Sequence, residues 1–173
     1  MKGVLGAVLM LLLSPAAATG GGRVDLVAGL GGQIGGSRDQ GTTLDLGLRF
    51  AQVWADGGVG LQVDRAVLGG GEREIDRGRV FAMLVVPLSA HVAARLAAGV
   101  AVPHRGLTLF SGAQESQRSV DPAFEAAIGY AFGARRVKVV LEAAVAAGGF
   151  QWPDEAMQSG VDLVLRIAGR FAP

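Results

Sequence analysis

From Arg23 onward the hydrophobic positions of this chain recur at every second residue, not at the three-and-four spacing of a helix. In "TLDLGLRFA", Leu44, Leu46, Leu48 and Phe50 fall on one face, while Asp45, Gly47, Arg49 and Ala51 fall on the other. "VDLVLRIAGRF" repeats the pattern, with Val161, Leu163, Leu165, Ile167 and Phe171 opposed to Asp162, Arg166, Ala168 and Arg170. "VGLQVDRAVLG", "HVAARLAAGVAV", "AFEAAIGYAF" and "RVKVVLEAAVAA" show it again, whereas "GRVFAMLVVPLSA" is apolar on both faces and leaves its orientation open. With the opening run, these segments predict eight strands over 23–32, 42–54, 58–68, 78–88, 91–102, 122–132, 136–147 and 159–171. Most reach the ~9–11 residues that a tilted strand needs to cross a bilayer.

The opening run "VDLVAGLGGQIGG" invites comparison with a dinucleotide loop, which places G-x-G-x-x-G between a strand and a helix. Gly29 and Gly31 fit, but Ile34 stands where the third glycine belongs, and no helical period follows. The run reads instead as a first strand, with Val24, Leu26, Ala28 and Leu30 on one face, entering a glycine-rich loop.

The connections between strands carry the topology. Those after strands one, three, five and seven are long: "GQIGGSRDQ", "GGGEREIDR", "PHRGLTLFSGAQESQRSVD" and "GGFQWPDEAMQS". Those after strands two, four and six are tight: "ADGG", "SA" and "GAR". Strict alternation places every long loop at one end of an up-and-down barrel and both termini at the other.

The first residues fit an exported barrel. A lysine, an apolar run from Val4 to Leu13, a Ser14-Pro15 break and the small residues Ala16 to Ala18 predict a signal peptide over 1–18, leaving a barrel domain over 19–173. Loss of Lys2 with that segment balances the basic and acidic residues, so no charge excess points to nucleic acid. The chain has no cysteine, which excludes disulfides and thiolate metal sites. No cofactor, metal site or catalytic group is expected.

The polar face decides which side is inside. It carries Asp25, Asp45, Arg49, Asp64, His91, Arg95, Glu125, Lys138, Glu142, Asp162, Arg166 and Arg170, separated by glycine and alanine. Acids and bases in near balance among small residues suit a narrow lumen in which each buried charge meets a partner. The opposite face is a Leu, Val, Ile and Ala band, with Trp54, Tyr130, Phe132 and Phe171 expected at the short-turn rim and Phe81, Phe150 and Trp152 at the long-loop rim.

These features resemble the small outer-membrane β-barrels of the OmpA-like and OmpX-like kind, over nearly the whole length after the signal segment. The resemblance implies an all-β, eight-stranded, antiparallel transmembrane barrel in the bacterial outer membrane, with a structural role or a role in presenting its loops. It also implies lipid and lipopolysaccharide as surroundings and the barrel assembly machinery as a partner. That machinery reads a terminal aromatic, for which Phe171 is the candidate, here followed by Ala172 and Pro173. "EREIDRGR" reads as a solvated loop, in which Arg73, Arg77 and Arg79 are candidates for contact with lipopolysaccharide phosphates or an extracellular ligand. Phe150 and Trp152 are candidates for interfacial or partner contact.

Two alternatives remain at this level. A soluble periplasmic lipocalin-like barrel would turn the apolar face inward around an apolar ligand. A lipid-modifying hydrolase would use His91: the lipid A deacylases carry His-x-Ser on one strand face, and "SAHVAARL" offers the reverse order, Ser89 and then His91, with Glu125 or Glu142 to orient the imidazole. His91 and His104 otherwise read as histidines making ordinary hydrogen bonds. Transport through eight strands is not expected, because side chains fill so narrow an interior.

Overall fold

A computed structural model describes residues 21–34, 41–70, 73–103, 113–114, 120–134, 136–148 and 161–171. The expected signal segment, His104, Phe150 and Trp152 lie outside them. The strands are β1 (Gly21–Ile34), β2 (Thr42–Val53), β3 (Gly58–Gly70), β4 (Arg73–Pro87), β5 (Val92–Pro103), the two-residue β6 (Ala113–Gln114), β7 (Asp121–Gly133), β8 (Val137–Gly148) and β9 (Val161–Phe171). Each long strand pairs antiparallel with its neighbours. β9 returns to β1, so the eight long strands close a ring and leave no free edge along it. β6 stands apart, pairing in parallel with Arg73 and Glu74 of β4.

The registers set the barrel's size. Val24 faces Phe50, Phe50 faces Leu61, Leu61 faces Ala82, and the path continues through Ala98, Phe124, Ala147 and Val161 to end on Ile34. One circuit therefore advances along β1 from position 24 to position 34. With the usual strand spacing and rise, that stagger tilts the strands by about 40° and gives a radius of about 8 Å. An interior so narrow holds side chains and little else.

The alternation turns the polar face inward. Asp25, Asp45, Arg49, Asp64, Arg95, Glu125, Glu142, Asp162 and Arg166 are buried, whereas Leu30 is 60% and Leu165 71% exposed. Leu26, Leu46, Phe50, Leu96, Ile128, Leu141 and Ile167 join them in an outward apolar belt. Only hydrocarbon covers such a belt without a hydrophobic penalty. The lipocalin-like alternative requires the opposite orientation and is overturned.

Two expectations about the third and fourth strands are also overturned. The connection after strand three is not long: β3 runs to Gly70 and β4 starts at Arg73, and these two residues pair. "EREIDRGR" is therefore mostly strand, because Ile75, Arg77 and Arg79 continue the inward phase of Phe81, Met83 and Val85 and gain an interior to fill. Arg77 and Arg79 are fully buried on β4, not carried on a solvated loop. Arg73 likewise belongs to β4 and not to a loop. Phe81, expected at the outer rim, is 1% exposed inside the barrel. It packs with Ala51, Met83, Ala97, Ala101 and Ala123.

The short turns lie at the end bearing the termini, called here the inner end. Trp54 donates its backbone N–H to the Gly57 carbonyl at 2.6 Å. Gly133 closes β7 at φ 125°, a left-handed conformation that favours glycine. Trp54, Tyr130, Phe132 and Phe171 are exposed near this end, and the Tyr130 and Phe132 rings stand 6.4 Å apart.

Candidate functional site

The chemistry-bearing residues converge in the lumen. Arg166, from β9, is the hub. Its Nε and Nη2 donate to Asp45 Oδ2 on β2 at 2.8 and 2.6 Å. Its Nη1 and Nη2 donate to the two oxygens of Glu125 on β7 at 2.7 and 2.6 Å. Nη1 also reaches Glu142 on β8 at 3.2 Å. One planar guanidinium thus ties together strands from opposite walls of the barrel, a use suited to arginine's rigid fork of donors.

Glu142 in turn receives Arg49 from β2 through a bidentate pair at 2.9 and 2.7 Å, and Arg95 Nη2 from β5 at 2.9 Å. Arg95 Nη2 also donates to Glu125. Arg49 Nε donates to Gln62 on β3 at 2.9 Å, and Gln62 passes the chain to Asp64 at 2.5 Å. Arg79 on β4 closes the circuit, donating to Asp64 at 2.5 Å and to Asp45 at 3.2 Å. Four arginines (49, 79, 95, 166) thus meet four carboxylates (45, 64, 125, 142), a neutral set in a site where unpaired charge is costly.

The geometry depends on Gly29. It faces Asp45 on one side and Arg166 on the other. A Cβ there would stand 2.0 Å from Asp45 Oδ1 and 2.7 Å from Arg166 Cγ. The glycine that suggested a phosphate loop is the gap through which two charged side chains meet across β1.

Beyond the central set, each end has its own pairs. At the inner end Arg170 donates to Asp25 at 2.9 and 3.2 Å, with Arg23 Nε 4.0 Å from the same carboxylate. Lys138 is half-buried and faces Arg170 in the register. Toward the outer end Arg77 donates to Asp121 and to the Ala101 carbonyl, each at 2.9 Å. Thr43 donates to Asp162 at 3.4 Å. Ala66, Leu68 and Ile75 form an apolar cluster on β3 and β4 beside this end.

The sequence pattern does not single out Gln62, Asp121 or Thr43, and it assigns Arg77 and Arg79 to a loop instead of the lumen. Gln62 shares the period-two phase of Asp64, a usable signal. Arg77 and Arg79 were hidden because the residues that continue their face, Phe81, Met83 and Val85, are apolar.

The arrangement a hydrolase would need is not formed among the described residues. The Ser89 hydroxyl accepts backbone N–H groups from His91 at 3.3 Å and Val92 at 3.1 Å. His91 is exposed, sets Nδ1 3.1 Å from the Ala131 carbonyl and stacks on Tyr130 at 5.7 Å. Glu125 and Glu142, the carboxylates a hydrolase would use to orient the imidazole, are held by arginines inside. Among the described residues no cluster of His, Cys, Asp and Glu is arranged to hold a metal. A groove of about 800 Å³, lined by Val59, Leu84, Leu96, Phe124 and Val145, lies on the apolar outer surface.

No family model and no curated protein matches the sequence. Solved structures do match the fold. The Neisserial surface protein A is 11% identical, with 87% of this chain and 96% of that one covered and a TM-score of 0.58. The Yersinia pestis outer-membrane protein Ail, solved in a phospholipid bilayer nanodisc, is 13% identical, with 89% and 99% covered and a TM-score of 0.51. Ail in complex with the heparin analogue sucrose octasulfate is 15% identical, with 88% and 99% covered and a TM-score of 0.52. A closed antiparallel ring of eight strands, charged within and apolar without, is common ground for a fold-level conclusion: this chain has the fold of the small bacterial outer-membrane β-barrels.

Proposed function

We propose that the protein is a non-enzymatic, non-conducting outer-membrane barrel whose lumen is a structural ionic core and whose loops carry any specific contact. The observation that supports this is the hub at Arg166, which fills the middle of the lumen and holds three carboxylates from three strands. A group so committed is poorly placed for acid–base or nucleophilic chemistry, and its side chains occupy the path an ion would take. The surroundings are outer-membrane lipid and lipopolysaccharide. Phe171, the last residue of β9 and turned outward at the inner rim, is the side chain offered to the assembly machinery.

Planar-bilayer recording of the refolded protein tests the closed lumen. The expected trace is silent, and a steady, reproducible conductance with the ionic core intact would overturn the reading.

A further inference from the structure

At the inner end of the lumen lies a cavity of about 20 Å³, lined by Arg23, Arg49, Arg95, Arg170, His91 and Glu142 among others. It is large enough for one occupant of roughly water size. We infer that this cavity is a binding site for a single small anion of chloride or bromide size.

Three independent features support the assignment. The first is charge. Four guanidiniums line the space, and the carboxylates facing them are Glu142 in the lining and Asp25 beside it, which holds Arg170. Lys138, across from Arg170, adds a further cation to the same end. Arg49, Arg95 and Glu142 belong to the neutral central set, so the excess at this end is that of Arg23, Arg170 and Lys138 over Asp25.

The second is donor capacity. Arg95 Nη1 and Arg23 Nε are buried, and neither has a hydrogen-bond partner. The Arg95 side chain is 4% exposed, so its free N–H groups do not find bulk water. Buried donors normally find an acceptor, and two orphans at one cavity call for the same one.

The third is the shortage of acceptors. A water has two protons to donate, but of the lining side-chain acceptors Glu142 already receives Arg49, Arg95 and Arg166, which leaves the His91 ring nitrogen Nε2 for two protons. An anion only accepts. Arg23 and Arg170 are 13% and 15% exposed, so the site opens toward the inner end and an ion enters without unfolding the barrel.

The test uses the full refolded barrel with chloride, bromide and gluconate as probes. In crystals grown in bromide, an anomalous peak is expected within hydrogen-bond distance of both Arg23 Nε and Arg95 Nη1. A water there at the same bromide concentration would overturn the site. In solution, unfolding is compared in chloride and gluconate at equal ionic strength. Above the dissociation constant, each tenfold rise in chloride should raise the folded-to-unfolded ratio about tenfold. Arg23→Gln lies outside the central ionic set and should abolish that dependence. An equal chloride response in wild type and Arg23→Gln, or none in wild type, would refute the inference. The bromide map decides independently if the variant refolds poorly.

Discussion

Replacing Arg166 with methionine removes the hub while retaining an unbranched apolar stem. Four central carboxylates then face three arginines, leaving one buried negative charge in excess. Removing one partner of a buried ion pair costs about 3–5 kcal/mol, mainly because the other charge is stranded. Here each carboxylate keeps a second contact: Asp45 holds Arg79 at 3.2 Å, Glu125 holds Arg95, and Glu142 holds Arg49 at 2.7 Å. That partial compensation puts the expected loss at the lower end, about 3 kcal/mol. With a urea slope of about 2 kcal/mol per molar, the unfolding midpoint should fall by about 1.5 M. Intrinsic tryptophan fluorescence and the compactness of unheated samples on gels, both measured on barrels refolded in lipid vesicles, read this shift. Adding Glu125→Gln restores charge balance, so the double variant should be less destabilised than the sum of the single ones, with a coupling of about 0.5–3 kcal/mol. A midpoint shift below about 0.3 M, or strict additivity, would refute the claim that the lumen network supports the fold.

Other substitutions probe different parts of the same physics. Gly29→Ala inserts a methyl 2.0 Å from Asp45 Oδ1 and should cost about 1–3 kcal/mol by parting Asp45 from Arg166; an unchanged urea midpoint would show that the gap at Gly29 is not needed. Leu165→Arg, at a side chain 71% exposed, should destabilise the barrel in bilayers by about 2–4 kcal/mol, whereas indifference would mean that this face meets water. His91→Ala should leave the lipid composition of expressing cells unchanged, since its imidazole contacts a backbone carbonyl and Tyr130; altered lipid acylation would restore the hydrolase reading.

The ends of the strands show where reading by pattern stops. β2 and β9 were legible almost to the residue because both faces differ in polarity along their whole length. β4 was not. Its inward face changes from charged to apolar midway, from Arg77 and Arg79 to Phe81, Met83 and Val85, so the charged part reads as loop and the apolar part as faceless. In a closed lumen both kinds of side chain serve the same purpose, which is to fill space against the opposite wall.

By itself, the sequence determined that the chain forms eight strands with one charged and one apolar face, because side-chain alternation is a local property that each segment states for itself. Its mixture of acids, arginines and small residues also indicated which face turns inward, since a narrow interior demands charge balance and little bulk. Only the tertiary structure decided who meets whom. Arg166 and Asp45 are separated by 121 positions, and they touch because the stagger of the closed ring brings β9 and β2 to either side of Gly29. That stagger is a sum of registers around the whole barrel, and it exists only once the last strand has closed on the first.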